Sequence, residues 1–176
     1  MIMKWYDASL RRLYPGGQAN RLARMMNRAS ATMFRLGMSP KRAATLEVAG
    51  RSTGRTISCP VVIADYEGER YLVSMFGEAG NWVRNVRAAN GRAVLRHGAR
   101  EPVQLVEVPT TDRAAILRRY LAVAPGARAH IPIDRNAPLA EFEKVAPAYP
   151  VFLISDPVGS DNESASATAR IEGIQL

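Results

Sequence analysis

Between residues 44 and 109, apolar and polar positions alternate in short runs broken by glycine, the period-two signature of half-buried strands. Runs at 45–49, 57–66, 69–76, 92–97 and 101–109 predict strands, and Tyr149 to Ile154 (YPVFLI) predicts a last one. Glu67-Gly68-Glu69 is a tight turn between the second and third runs, and His97-Gly98-Ala99-Arg100 turns the fourth into the fifth. Elsewhere the period lengthens to that of a helix. Asn81 to Ala89 (NWVRNVRAA) is a short helix with Asn81 as its cap and Asn90-Gly91 as its end. A second helix starts at Thr111-Asp112 and runs through Val123, and a third covers 137–146. Upstream, segment 18–36 sets Leu22, Met25, Met26, Ala29, Met33 and Leu36 on one helical stripe, with Arg21, Arg24 and Arg28 largely off it. Met38-Ser39-Pro40 ends that helix.

The strands between 45 and 109 follow one another through short connections, with one helix between the third and the fourth. A doubly wound parallel sheet needs a helix after nearly every strand, so the pattern favours an antiparallel barrel with appended helices, mainly β with α+β character. The chain then divides into a basic extension with an amphipathic helix (1–40), a barrel domain (41–156) and a small polar tail (157–176) expected to be disordered.

Composition narrows the classes. The chain has 176 residues, 47% of them hydrophobic, enough for one domain with a core. It contains no run of ~20 apolar residues that would cross a membrane, and MIMKWYDASLRR lacks the apolar block of a secretory signal, so a cytoplasmic address is expected. A single cysteine, Cys59, excludes an internal disulfide and a cysteine-based zinc site, and no metal is expected.

Charge is placed unevenly. Of a net +8, residues 1–55 carry eleven bases against two acids, Asp7 and Glu47, whereas the rest is close to neutral. That asymmetry calls for an anionic partner: a membrane surface, nucleic acid or a phosphorylated small molecule. Helix 18–36 either packs on its own domain, rests on an anionic bilayer at the inner face of the plasma membrane, or meets a second copy. Nucleic acid is not expected, because Phe34 is the only aromatic between Arg21 and Lys41 and stacking platforms are missing.

Candidate chemistry concentrates in GRSTGRTISCP, residues 50 to 60. Gly50 and Gly54 permit positive φ and exposed N–H groups, and successive N–H groups pointing one way form an anion-binding concavity. Arg51 and Arg55 add charge-assisted bonds, and Ser52 and Thr53 add hydroxyls. The sequence lacks the Gly-Lys-Ser/Thr ending of a Walker loop and the spacing of a Rossmann fingerprint. The same residues also suit a solvated hairpin turn. In the following helix, Trp82, Asn85 and Ala89 share a face, where Trp82 and Asn85 either pack or flank a flat polar ligand.

Loop and helix together carry a resemblance. The order strand, Gly-Arg-x-Ser/Thr-Gly loop, strand, hairpin, then Trp-x-x-Asn-Val/Leu-Arg-Ala resembles the deazaflavin-dependent nitroreductase family over roughly residues 40–155. The resemblance implies a split β-barrel of the FMN-binding-like class that binds coenzyme F420, an 8-hydroxy-5-deazaflavin with a phosphodiester and a polyglutamate tail. It implies that Gly50, Arg51, Ser52, Thr53, Gly54 and Arg55 grip the anionic tail and phosphate. Trp82 and Asn85 would line the same cofactor, with Ser74 at a cofactor-side position. Ile57 stands where the family loop usually carries a further base, and Val83-Arg84 replace a common Tyr-His.

The implied activity is transfer of a hydride from the reduced cofactor to a quinone, nitro compound or activated alkene, in a chain that pairs as a homodimer. Tyr120 and Tyr149 are the candidates for a proton donor, each also readable as a core residue. His97 and His130 have no carboxylate partner at a telling spacing. The alternatives are a non-catalytic barrel that holds deazaflavin, FMN or a lipid, with FMN the rival cofactor.

Overall fold

The computed structural model describes residues 42–157. The amphipathic helix expected over 18–36, with the membrane contact it would make, and the tail beyond 157 lie outside the described residues. Six strands, β1 (Ala43–Ala49), β2 (Thr56–Tyr66), β3 (Glu69–Val73), β4 (Arg92–His97), β5 (Ala99–Glu107) and β6 (Val151–Ser155), close into an antiparallel barrel in the order β1-β2-β3-β6-β5-β4. The strand spacing and the resemblance both led to this class. Short connections make the hairpins. Glu67 and Gly68 both take positive φ, 51° and 84°, the requirement of a two-residue turn whose twist matches its strands. Gly98 (φ 76°) turns β4 into β5, so β5 starts at Ala99, earlier than the run of apolar residues suggests.

Two apolar clusters follow from the pleat. Leu46 and Val48 of β1, Leu72 of β3, Leu95 of β4, Val103 and Leu105 of β5, and Phe152 and Ile154 of β6 fill the barrel. Helix α1 (Asn81–Ala88) adds Val83 and Val86 to this interior. On the outer face, Ala64, Val73 and Val151 are covered by α2 (Arg113–Val123) and α3 (Leu139–Val145), which bring Leu117, Leu121 and Phe142. Strands packed on both faces lose strict alternation. That explains why Val61-Val62-Ile63-Ala64 reads as a continuous apolar run.

Several boundaries differ from the sequence reading for local reasons. β3 stops at Val73, three residues short of the expected end: Ser74 N–H still donates to Pro150 O at 3.0 Å, but proline has no N–H to return, and the Ser74 hydroxyl donates to Gly77 O at 2.7 Å. Gly77 (φ 56°) then brings the chain so close to Ala148 O that a Cβ would lie 2.5 Å from it. Residues Gly77–Ala79 form one 3-10 turn and Gly80 caps α1; Asn81, expected as the cap, is already the first helical residue. A Cβ at Gly80 would meet Ser74 Oγ at 2.6 Å, so the cap position has room for glycine alone. Thr111-Asp112 belong to a 3-10 turn (Thr110–Asp112) before α2, and Pro147 confines α3 to a shorter span than 137–146.

The end of α1 is fixed to β5. Gly91 N–H donates to Val86 O at 2.9 Å, Gly91 O accepts from Leu105 N–H at 2.8 Å, and Gln104 Nε2 donates to Asn90 O at 2.7 Å. Gly91 has φ 79°, and a Cβ there would lie 2.4 Å from Leu105 O. Gly91→Ala therefore combines left-handed strain with a backbone clash and should lower unfolding free energy by about 2–4 kcal/mol in a denaturant titration. Gly126→Ala, where nothing lies within 4 Å of the added Cβ, should cost well under half of that.

Candidate functional site

The glycine-arginine loop joins β1 to β2 at one end of the barrel, and its shape is held from within. Gly50 N–H donates to Arg55 O (2.8 Å), while Gly50 O accepts from Thr53 N–H (3.2 Å) and Gly54 N–H (2.7 Å). Arg55 N–H donates to Thr53 Oγ1 at 3.3 Å. The loop is thus no open row of N–H groups: the expected backbone concavity is largely used up in closing the turn. What remains outward is the exposed side chains of Arg51, Ser52, Thr53 and Arg55.

The two glycines serve different ends. Gly54 has φ 67°, as expected. Gly50 does not take positive φ; it is buried, and a Cβ would press on Arg55 O and Ile57 Cγ1, both at 3.1 Å. Close approach, not left-handed backbone, makes this position glycine.

Asn85 ties the loop to α1. It is 4% exposed, and its Oδ1 accepts from Arg51 N–H at 3.3 Å and from the Arg51 guanidinium at 3.0 Å. The two sequence segments singled out separately are therefore one constellation. Trp82, on the same helix, is half-buried and packs its ring on Phe152 with centroids 5.4 Å apart.

Other sequence candidates fall elsewhere. Ser74 is fully buried with its hydroxyl donated to Gly77 O, so it builds the turn into α1. Tyr120 is buried in the helix-covered outer cluster, where loss of water pushes its phenol above the ordinary range. Tyr149 donates to His130 O at 3.3 Å, and partial burial also raises its phenol. Neither tyrosine packs in the cluster that holds Trp82. His97 Nδ1 lies 2.7 Å from Ala43 O, and the His130 ring meets Phe76 edge-on at 4.7 Å.

An ionic network behind the site escaped sequence reasoning. Arg87 of α1 donates to Glu78 (2.6 and 3.0 Å) and to Glu107 of β5 (2.8 and 2.7 Å), and Arg113 of α2 adds a bond to Glu107 at 3.1 Å. These bonds from Arg87 hold both carboxyls below the ordinary range. No signal in the sequence pairs residues that lie on separate elements.

Among the described residues, two of the clefts on the barrel wall bear on the site. One, of about 210 Å³, begins at Ala49 and Thr56, the two roots of the loop, and is walled by Arg92 and Arg100. The other, of about 300 Å³, has an apolar floor of Tyr71, Val106 and Leu153 but an acidic rim of Glu67, Glu107 and Asp112, the wrong sign for an anion.

The family described as F420H(2)-dependent quinone reductase matches residues 19–140, well over half of the chain. The chain belongs to that family. Its description carries the coenzyme F420 dependence implied by the resemblance and names a quinone, not a nitro compound, as acceptor. A comparison with curated proteins finds no match. Among solved structures, the chain is similar to a protein described as a domain-swapped dimer (15% identity, 77% of this chain and 94% of that one, TM-score 0.48). It is also similar to an F420-H2-dependent reductase (17% identity, 65% and 95%, TM-score 0.45). A third similar structure is an FAD-binding protein of Mesorhizobium loti (16% identity, 73% and 88%, TM-score 0.44). Likeness at that level does not say what this chain binds.

The donor set of the loop, two guanidinium groups and two hydroxyls on a pre-shaped turn, suits the phosphodiester and carboxylates of the family's cofactor. Ser74, with its hydroxyl already engaged, does not add to that set.

Two outcomes follow. Asn85→Ala removes the acceptor that docks Arg51; amide exchange across residues 50–55 should speed up, with a stability loss of about 1–3 kcal/mol. Arg87→Met should change acid stability. A carboxyl whose pKa is depressed by folding stabilises the fold above its unfolded pKa and loses that contribution as pH falls through its folded value. Wild type should lose stability as pH drops below about 4.5, and the variant, already weaker by about 1–2 kcal/mol at neutral pH after discounting for exposure, should lose less. Parallel acid-titration curves would contradict the network's role.

Proposed function

We propose that this chain is a coenzyme F420-dependent oxidoreductase that passes a hydride to a quinone-type acceptor, with nitro compounds and activated alkenes as further acceptors of the same electronic class. The observation that carries the reading is the Asn85–Arg51 clamp, which joins the anion-binding loop to the Trp82 helix in a chain whose family depends on F420H(2). When bound, the deazaflavin supplies the hydride; the protein supplies position and electrostatics. Arg51 and Arg55 hold the anionic end through charge-assisted bonds, and Ser52 and Thr53 donate hydroxyls to the same oxygens. Trp82 offers the exposed part of its indole to the flat ring system. Gly50 and Gly54 keep the loop in one shape, so little ordering remains to be done on binding.

No acid is assigned to product protonation. Tyr120 is shut in an apolar cluster, and the Tyr149 hydroxyl is engaged with a carbonyl, which leaves solvent as the proton source.

Titrating the protein with oxidised F420 and with FMN, followed by tryptophan fluorescence, tests the reading. Quenching should saturate with F420. Arg55→Ala should weaken binding by about 1.5–3 kcal/mol, the worth of a charge-assisted bond. Saturation by FMN alone, or an unchanged affinity in both Arg51→Ala and Arg55→Ala, would overturn it. The acceptor follows from the rate at which reduced F420 is reoxidised across a panel of quinones, nitroaromatics and activated alkenes, with quinones fastest.

A further inference from the structure

The outer wall of the barrel is covered over one row of strand residues and bare over the next. Val73 of β3 and Val151 of β6 stand opposite each other beneath α2 and α3. Two residues along, Tyr71 stands opposite Leu153 and Leu153 opposite Val106, which makes a second outward row across β3, β6 and β5. Leu153 and Val106 pack in neither apolar cluster, and Val106 is 48% exposed, the highest value for a large hydrophobic residue among those described. This row floors the cleft of about 300 Å³. The rim is acidic. Glu107 is taken up by Arg87 and Arg113, whereas Glu67 and Asp112 have no ion pair among the described residues. The exposed Arg118 of α2 stands near Tyr66 but bonds neither carboxylate. An apolar floor inside an acidic rim fits a basic amphipathic element. A second copy, related by a two-fold axis, would set these acids against themselves.

The chain carries such an element, and it enters the barrel beside the cleft. Arg42 O accepts from Ile63 N–H at 2.7 Å, and the Arg42 guanidinium donates to Asp65 at 2.9 and 3.0 Å, next to Tyr66 and Glu67. Through Ile63, Leu72 and Phe152, the register puts Arg42 one residue out of line with the bare row, at the opposite end of β1 from the glycine-arginine loop. Strands lie about 4.8 Å apart, so Leu153, three strands from β1, is roughly 14 Å away along the wall. Residues 37–41 span up to about 17 Å when extended. Segment 18–36 therefore ends within reach. At helical spacing, Arg21, Arg24, Arg28 and Arg35 fall along one flank of its apolar stripe. We propose that helix 18–36 docks on this cleft of its own chain, with its apolar stripe on Tyr71, Leu153 and Val106 and its arginines toward Glu67 and Asp112. The contact is made on the outer wall and does not depend on the cofactor.

Hydroxyl-radical footprinting of the full chain, read by mass spectrometry at Met25, Met26 and Met33 and at Tyr71 and Leu153, tests the proposal. Both sets should oxidise slowly. In Val106→Asp both should speed up by roughly threefold or more, because a carboxylate in an apolar contact disfavours docking. Glu67→Lys/Asp112→Lys should speed them by roughly twofold, the smaller effect of exposed ion pairs, and adding Arg24→Glu/Arg28→Glu should restore protection. Amide exchange of the barrel strands should stay the same in every variant, which separates undocking from misfolding. Unchanged methionine oxidation in Val106→Asp would overturn the proposal. If that variant perturbs the barrel, the charge reversal decides, and failure to restore protection would overturn it. Protection lost on dilution together with a dimer mass in light scattering would assign the cleft to a second copy instead. Protection that arises only with anionic vesicles would assign the helix to a membrane, and either result ends the proposal.

Discussion

Asn85 Oδ1 accepts two hydrogen bonds from a residue 34 positions away, the N–H and the guanidinium of Arg51. The rest of the site depends on that contact. The carboxamide is buried, so its oxygen must be satisfied inside the protein, and the loop that satisfies it is held against α1. The helix is fixed in turn by the Gly91 crossing to β5, by Val83 and Val86 in the barrel interior, and by Arg87 in its carboxylate network. A loop of four exposed polar side chains thereby gains the rigidity of a barrel.

Charge is sorted by position. Acids on the far wall and behind α1 are each taken up by arginine: Asp65 by Arg42 and Arg119, whose hydrogen bonds hold its carboxyl far below the ordinary range, and Glu107 by Arg87 and Arg113. Around the loop the arginines outnumber the acids. Surface ion pairs contribute little to stability, so their larger consequence is spatial: they offset positive charge around Asp65, Glu101 and Glu107, away from the loop.

The strands were legible because half-burial writes a period of two into the chain, and the hairpin turns because Gly68 and Gly98 are suited to positive φ. Helix starts were less legible. The Asn81 side chain looks like a cap, but the crowding of Gly80 by Ser74 sets the boundary, and that contact is tertiary. Ser74 illustrates the same limit at the site. A hydroxyl near a strand end reads as a ligand group, whereas the fold commits it to a carbonyl three residues on. Gly50 and Gly54 look equivalent in sequence, yet one answers to packing and the other to backbone φ. The loop–helix pairing was suggested by family resemblance, and the bond that makes it physical was not visible, since nothing local distinguishes an asparagine that lines a ligand from one that holds a loop. The cleft arginines were missed because register, not spacing, brings Arg92 and Arg100 to one wall.

The central claim is that the loop and α1 form one surface that holds a polyanionic redox carrier. Backbone amide shift mapping by NMR during addition of oxidised F420 tests it most directly. The account predicts that the largest perturbations fall on residues 50–55 and 81–85. Perturbations centred on the acid-rimmed cleft of Tyr71, Val106 and Leu153, with the loop unaffected, would contradict it.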